Sequence, residues 1–383
     1  MKVEPGGDLD LRGATVDPAT WEAVRAGAVD AAGVVRLGRC RFDGAVLDCA
    51  DFHGVVFEGD ASFAGAQFRR AASFRDAVFH GNAGFHEAVF NRGATYDGAV
   101  FDRHADFTCA RFNADALFTG VRWKADVTFT GAWFLGAADF DCSSCGRDVL
   151  AQETRFSSPL SWRNGSVARH LLLDRALFRD CAWLGPLTVG ARLSLNSARA
   201  SRTLRLTATA QRVSIRNAIL HTTRLHTPAD LSHTSATELQ LHGAGPLTLT
   251  GAVAASTRLT GVDLGTCVFE SAKLSGLALR GCRFPGRLAE EPAPWTAALY
   301  QSFAEATDDP EQARLFHIRA IEMRRLAHPS PWWRLLLTLC RVTSGYGRSP
   351  LRIHTTFAAL ALTATLLTAL GLESGELATL AHR

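Results

Sequence analysis

Between positions 63 and 140 fifteen aromatic residues keep a fixed beat: Phe63, Phe68, Phe74, Phe79, Phe85, Phe90, Tyr96, Phe101, Phe107, Phe112, Phe118, Trp123, Phe129, Phe134 and Phe140. The steps alternate between five and six, so the underlying period is eleven residues. Two places before each ring stands a small residue, alanine in thirteen cases and valine at Val121 and Val127. An α-helix cannot use this pattern, because five or six residues advance it by roughly 500 to 600° and scatter the rings around the axis. A flat strand fails as well, since a five-residue step moves the side chain to the other face. A chain that turns a corner about every five residues, aiming the small and the large residue inward each time, satisfies both constraints. Self-similarity at a fixed period marks a solenoid.

The unit Ala-x-Phe-x-x resembles that of the pentapeptide-repeat family, and Ala50-Asp51-Phe52, Ala105-Asp106-Phe107 and Ala138-Asp139-Phe140 carry the resemblance most fully. The resemblance implies an all-β solenoid, a right-handed quadrilateral β-helix in which four repeats make a coil of about twenty residues. The extra residue in every second repeat lengthens that coil to about twenty-two and places the insertions at two opposite corners. Some eleven or twelve coils at about 4.8 Å each would make a rod on the order of 55 Å long.

The formal charge of +4 conceals an asymmetry. Positions 41 to 141 hold nine Lys/Arg against fourteen Asp/Glu, and positions 142 to 286 hold seventeen against eight. Charges spread over so many residues fit a solvated outer wall better than a nucleic-acid site, and nucleic acid is not an expected partner. The nine cysteines are odd in number, and the start lacks a secretory signal, so the thiols are read as reduced and the body as cytoplasmic. Cys40, Cys267 and Cys282 each stand two residues before an aromatic, where alanine is usual, and read as small buried wall residues.

Composition divides the chain into six stretches. Residues 1–38 form an N-terminal cap with a helix started by Asp17 and Pro18. The Phe-rich β-helix covers 39–141. A less regular continuation covers 142–286, where pairs such as Leu193/Leu195, Leu204/Leu206 and Leu239/Leu241 suggest a different cross-section with longer corners. Residues 287–350 read as a helical cap and juxtamembrane segment, with Asp308-Asp309-Pro310 as turn and helix cap. Residues 351–372 read as a transmembrane helix, since Thr355 to Leu372 carries no charge. Residues 373–383 form a short tail. The stretch from Leu299-Tyr300 through Glu322-Met323-Arg324-Arg325 to Ser344-Gly345-Tyr346-Gly347 resembles that of actinobacterial membrane-associated pentapeptide-repeat proteins, which implies a single-pass C-terminal anchor. Six arginines and no acidic residue between 324 and 352 place the β-helix in the cytoplasm by the positive-inside rule. Trp332, Trp333 and Leu335 to Leu339, edged by Arg334 and Arg341, read as an interfacial helix.

Few residues suggest chemistry. Cys142 and Cys145 form the one Cys-x-x-Cys, but zinc needs two further ligands and a redox dithiol a strand-to-helix setting, neither of which the sequence offers. His53, His80 and His86 each follow an inward ring by one place and should point outward. They are read as solvated, with no acidic partner expected to share their period. Thr343-Ser344-Gly345-Tyr346-Gly347 is similar to a potassium selectivity filter, which would need a second membrane helix. No phosphate-binding loop, dinucleotide fingerprint, zincin or serine-hydrolase motif occurs. The expectation is therefore a non-enzymatic, membrane-tethered scaffold with no catalytic, cofactor or metal site, binding a protein partner or itself and touching lipid through its C-terminal helix. Two alternatives stand beside it. One is a DNA mimic that binds topoisomerase, and the other is a membrane-associated redox or ion-channel-like protein using Cys142/Cys145 or the Ser-Gly-Tyr-Gly segment.

Overall fold

The computed structural model of the protein describes residues 3–225, 229–242, 246–284 and 294–344, together with Leu362. It divides into two compact units, Met1–Glu290 and Glu291–Arg383. The first is a β-solenoid of about 11 turns, built from parallel strands that stack coil on coil.

In the Phe-rich part each coil contributes four two-residue strands. One coil runs through Ala61–Ser62, Gln67–Phe68, Ala72–Ser73 and Val78–Phe79, which define sides one to four. Each strand pairs in parallel with its equivalent 22 residues on: Ala61 with Ala83, Phe68 with Phe90, Ala72 with Ala94 and Phe79 with Phe101. On sides one and three the first residue of the strand faces inward, and on sides two and four the second does. The ring that follows a side-one or side-three strand, such as Phe63 or Phe74, also turns inward and is fully buried. That alternation explains why small and large residues recur together.

Strand spacing then dictates how the rings meet. Phe63 lies over Phe85 at 4.9 Å, Phe74 over Tyr96 at 4.8 Å, Phe79 over Phe101 at 4.6 Å and Phe68 over Phe90 at 4.4 Å, all within 7° of parallel. Ring carbons prefer contact at about 3.5 to 4.0 Å. Rings repeating at the wider strand spacing must therefore lean and slide, which gives the offset stacking that their quadrupoles favour. Across the interior the side-one and side-three columns meet edge to face, as between Phe63 and Phe74 at 5.5 Å and 83°. Tyr96 occupies a phenylalanine seat in this core. Its hydroxyl is buried without a hydrogen-bond partner, and burial raises its pKa well above the usual phenol range. Tyr96→Phe is expected to raise unfolding free energy by about 1 to 3 kcal/mol, read from the urea midpoint, because it removes an unsatisfied polar group without changing the ring.

Two kinds of corner alternate. After sides one and three the chain makes a hydrogen-bonded turn, Ala66 N–H to Phe63 O at 3.0 Å and Ala77 N–H to Phe74 O at 3.1 Å. The third residue of each turn is left-handed, Gly65 at φ 63° and Asp76 at φ 54°, as type II turns require. After sides two and four comes the longer six-residue step, so the insertions do fall at two opposite corners. There carboxylates hold the next coil: Asp60, Asp115 and Asp148 accept from the backbone N–H of Asn82, Ala137 and His170 at 2.8, 2.9 and 3.0 Å. Side-chain oxygens thus satisfy corner donors that have no strand partner.

The later coils lose a corner rather than lengthening one. Ala182–Val189 is a single strand of 8 residues that pairs with both Leu160–Trp162 and Gly165–Val167, fusing sides three and four. Leu204/Leu206 and Leu239/Leu241 sit in such strands, and the coil shortens: Arg192 pairs with Arg212, Val213 with Ala229 and Ala229 with Leu247. Two leucines on one face two residues apart extend a strand, whereas the Ala-x-Phe unit is followed by a bend.

At the other end the ladder already includes Leu9–Asp10, paired with Cys40–Arg41, and Thr15–Val16, paired with Val46–Leu47. Residues before 39 therefore supply a first turn as well as a cap. Helix α1, Pro18–Gly27, starts where expected, with Asp17 accepting from Thr20 N–H at 2.7 Å. Its Trp21 packs on Phe52 at 4.5 Å and donates to Asp51 O at 2.8 Å, covering the first ring of the side-three column.

The second unit holds α2, Pro294–Ala306, α3, Pro310–Ala327, and α4, Pro331–Ser344. Asp309 caps α3 by accepting from Glu311 N–H at 2.9 Å. Phe303 and Phe316 meet at 5.5 Å and join α2 to α3. The proposed 351–372 span lies outside the described residues apart from Leu362, and among the described residues no helix is long and apolar enough to cross a membrane.

Candidate interaction surface

With the interior filled by rings and aliphatic side chains, the outer wall is the accessible surface of the solenoid. Outward residues one coil apart stand one strand spacing apart, so residues at 22-residue intervals form vertical columns. One charged column runs along the corner after side four, where Glu58, His80, Asp102 and Lys124 follow one another. Arg36 Nη1 meets Glu58 Oε1 at 2.5 Å, His80 Nε2 lies 3.9 Å from Glu58, and His80 Nδ1 lies 2.7 Å from Asp102. Lys124 Nζ bonds the other Asp102 oxygen at 2.7 Å, and Asp30 holds Arg36 from the far end at 2.6 Å. The Lys124 and His80 hydrogen bonds lower the Asp102 pKa below 3.8.

His80 therefore has acidic partners, contrary to the sequence reading. Glu58 and Asp102 lie a full coil away on either side, twice the eleven-residue period of the rings. His86 sits at a different corner, 3.4 Å from Glu87, and His53 is exposed at a third. Among the described residues no three His, Cys, Asp or Glu side chains converge as a metal site would require. Beside the charged column, Gly59 and Gly81 floor a shallow polar trough walled by Arg39, Asp60 and Arg103. A Cβ on Gly81 would lie 2.4 Å from the backbone carbon of Gly59, so the floor admits only glycine there.

The cysteines do not converge either. Cys142 is exposed at a left-handed corner position, φ 58°, whereas Cys145 is buried in the inward column between Trp123 and Val167. Burial pushes the Cys145 thiol up to about 11 and Cys267 up to about 12, and Cys40 is raised further. Because the folded value exceeds the unfolded 9.0, the contribution of Cys145 to stability is complete below pH 9 and is lost as pH rises toward 11. Alkylation of the native protein at pH 8 is expected to modify Cys109 and Cys142, both exposed, and to spare Cys40, Cys145 and Cys267 until denaturant is added. Peptide mapping by mass spectrometry reads this directly, and prompt modification of Cys145 would contradict its burial. Of the filter-like run, Thr343 and Ser344 end α4, and 345–347 lie outside the described residues.

These features define a class: a parallel β-helix with a packed interior and an exposed, charge-studded outer wall. Two family models, described as pentapeptide repeats (9 copies) and pentapeptide repeats (8 copies), match residues 39–89 and 63–108 and residues 249–286, respectively. The chain thus carries pentapeptide repeats over 39–108 and 249–286, within a solenoid of about 11 turns. No curated protein and no solved structure matches it.

Proposed function

We propose that this protein is a non-enzymatic scaffold, held at a membrane through its C-terminal segment, whose right-handed, four-sided solenoid faces the cytoplasm and binds a protein partner or a second copy through its walls. The observation that carries the membrane part is α4. Trp332, Trp333 and Leu335 are 80%, 54% and 64% exposed, with the exposed Arg334 among them. Tryptophan beside arginine on one short helix matches the boundary between headgroups and acyl chains, where an apolar ring and a cation are both stabilised. The uncharged stretch 355–372 and the resemblance to actinobacterial membrane-associated proteins point the same way.

The scaffold part rests on the commitment of inward residues to packing and on the exposure of the walls. Duplex mimicry draws less support, because many wall carboxylates are engaged by backbone N–H groups or by arginines one coil away. A dithiol mechanism is disfavoured by the raised Cys145 pKa.

The test compares the full chain with one ending at Pro350. The full chain is expected to stay with membranes through alkaline carbonate extraction and to copurify with a partner in mild detergent, whereas the shorter chain is expected to be extracted. A shorter chain that still resists extraction would refute the anchor.

A further inference from the structure

One wall column combines regularly spaced arginines with apolar residues and carries no carboxylate. Several arginines elsewhere on the wall find a carboxylate one coil away: Arg69 with Asp48, Arg75 with Asp97, Arg147 with Asp126, Arg169 with Asp148, Arg175 with Glu153 and Arg202 with Asp180. The outward column of side two contains Arg111, Trp133, Arg155, Leu177, Arg199 and Ile219 in unbroken register. From Gln67 at one end to Lys273 at the other this column has no acidic residue. Among the described residues no carboxylate pairs with Arg111, Arg155 or Arg199, all of which are exposed.

The arrangement is built into the strands. Arg111, Arg155 and Arg199 occupy alternate coils and so stand roughly 9.6 Å apart, with an apolar residue between each pair. The Arg111 guanidinium lies 4.8 Å from the Trp133 ring centre and that of Arg155 lies 6.0 Å from it. Trp133 is itself fixed by its Nε1 donating to Ser157 Oγ at 3.1 Å, and Arg111 by donating to Asn113 Oδ1 at 2.7 Å. Ile219, 48% exposed, continues the apolar half of the pattern.

From this we propose that side two is a contact face for an anionic lipid surface, with the solenoid lying along the bilayer. Three physical arguments select that occupant. A second copy of the same face would set arginine against arginine, which is repulsive. A single-stranded nucleic acid needs free aromatic faces on which to stack bases, and the Trp133 ring is already flanked by two guanidinium groups. An anionic membrane supplies diffuse, laterally mobile negative charge over an apolar layer, and a flat strand ladder alternating arginine with Trp, Leu and Ile meets both. This inference rests on the membrane reading above, yet it concerns the solenoid wall and not the C-terminal segment.

The test is flotation of the full-length protein with vesicles of phosphatidylcholine alone or containing about a third phosphatidylserine. Binding to neutral vesicles reports the C-terminal anchor, and the additional binding caused by phosphatidylserine reports the wall, so each can fail separately. The variant R111A/R155A/R199A is expected to reduce that additional binding by on the order of 100-fold at low salt. The variant R103A/R122A/R147A removes equal charge from other sides, and it should reduce the additional binding at most a few-fold. Equal losses in both variants, or no loss in the first, would overturn the proposal. Loss of single-stranded DNA binding in the first variant with vesicle binding intact would overturn it in favour of a nucleic-acid face. Unchanged circular dichroism of both variants makes the comparison one of binding alone.

Discussion

Phe101→Ala is expected to lower the unfolding free energy by about 3 to 5 kcal/mol. Phe101 is fully buried, stacks under Phe79 at 4.6 Å and 2°, and meets Phe107 edge-on at 6.3 Å and 77°. In many cores neighbours collapse partway into a new cavity. Here the strands above and below are fixed at ladder spacing, Val78–Phe79 to Val100–Phe101 and onward to Arg122–Trp123, so collapse would break hydrogen bonds on several coils. The expected value therefore lies toward the upper end of the range. Urea melts of the two proteins measure it, and a difference below about 1 kcal/mol would mean that the rings are not a load shared by stacked coils.

Gly136→Ala is expected to destabilise by about 3 kcal/mol or more, near or beyond the upper end for overpacking, although it adds only one methyl group. The new Cβ would stand 2.2 Å from the carbonyl carbon of Ala114 and 2.4 Å from Asp115 N, both backbone atoms of the preceding coil. No side-chain rotation relieves such an overlap, and the two coils would have to part. Gly120→Ala is the informative comparison. It meets nothing within 4 Å, and its difficulty is conformational, φ 66°, at about 1 to 2 kcal/mol. Equal effects of the two substitutions would show that coil separation at this corner is softer than the backbone distances require.

The fold was legible where one residue type repeats with a conspicuous size. Rings at alternating steps of five and six fixed the coil length, and the pairing of Ala61 with Ala83 and Phe79 with Phe101 follows from it. The start of α1 was legible for a local reason, since Asp17 and Pro18 act within one turn. The later coils were legible as a change but not as its direction. Leu204 and Leu206 announce a strand, while whether that strand swallows a corner depends on neighbours such as Ala182 and Leu184, a coil away.

The wall was harder to read for the same reason. Glu58, His80, Asp102 and Lys124 are four different residues, so no repetition draws attention to them, and each finds its partner only after a full turn of the chain. The side-two column mixes Arg, Trp, Leu and Ile, and its lack of acidic residues becomes visible only when positions one coil apart are set side by side. A sequence scan at the coil period, rather than at the repeat period, would have found both.

The equivalence of successive coils in the Phe-rich part carries a consequence for how such a chain changes over generations. Residues 61–82 and 83–104 present the same inner wall to whatever lies above and below, Phe63 and Phe85 on one side, Phe68 and Phe90 on the next. Loss or duplication of one such stretch would restore every seam, because the residue now arriving at each seat is of the kind that left it. Length can thus drift by whole turns while the interior stays intact, and the feature under selection becomes the distance between whatever the two ends and the walls hold apart.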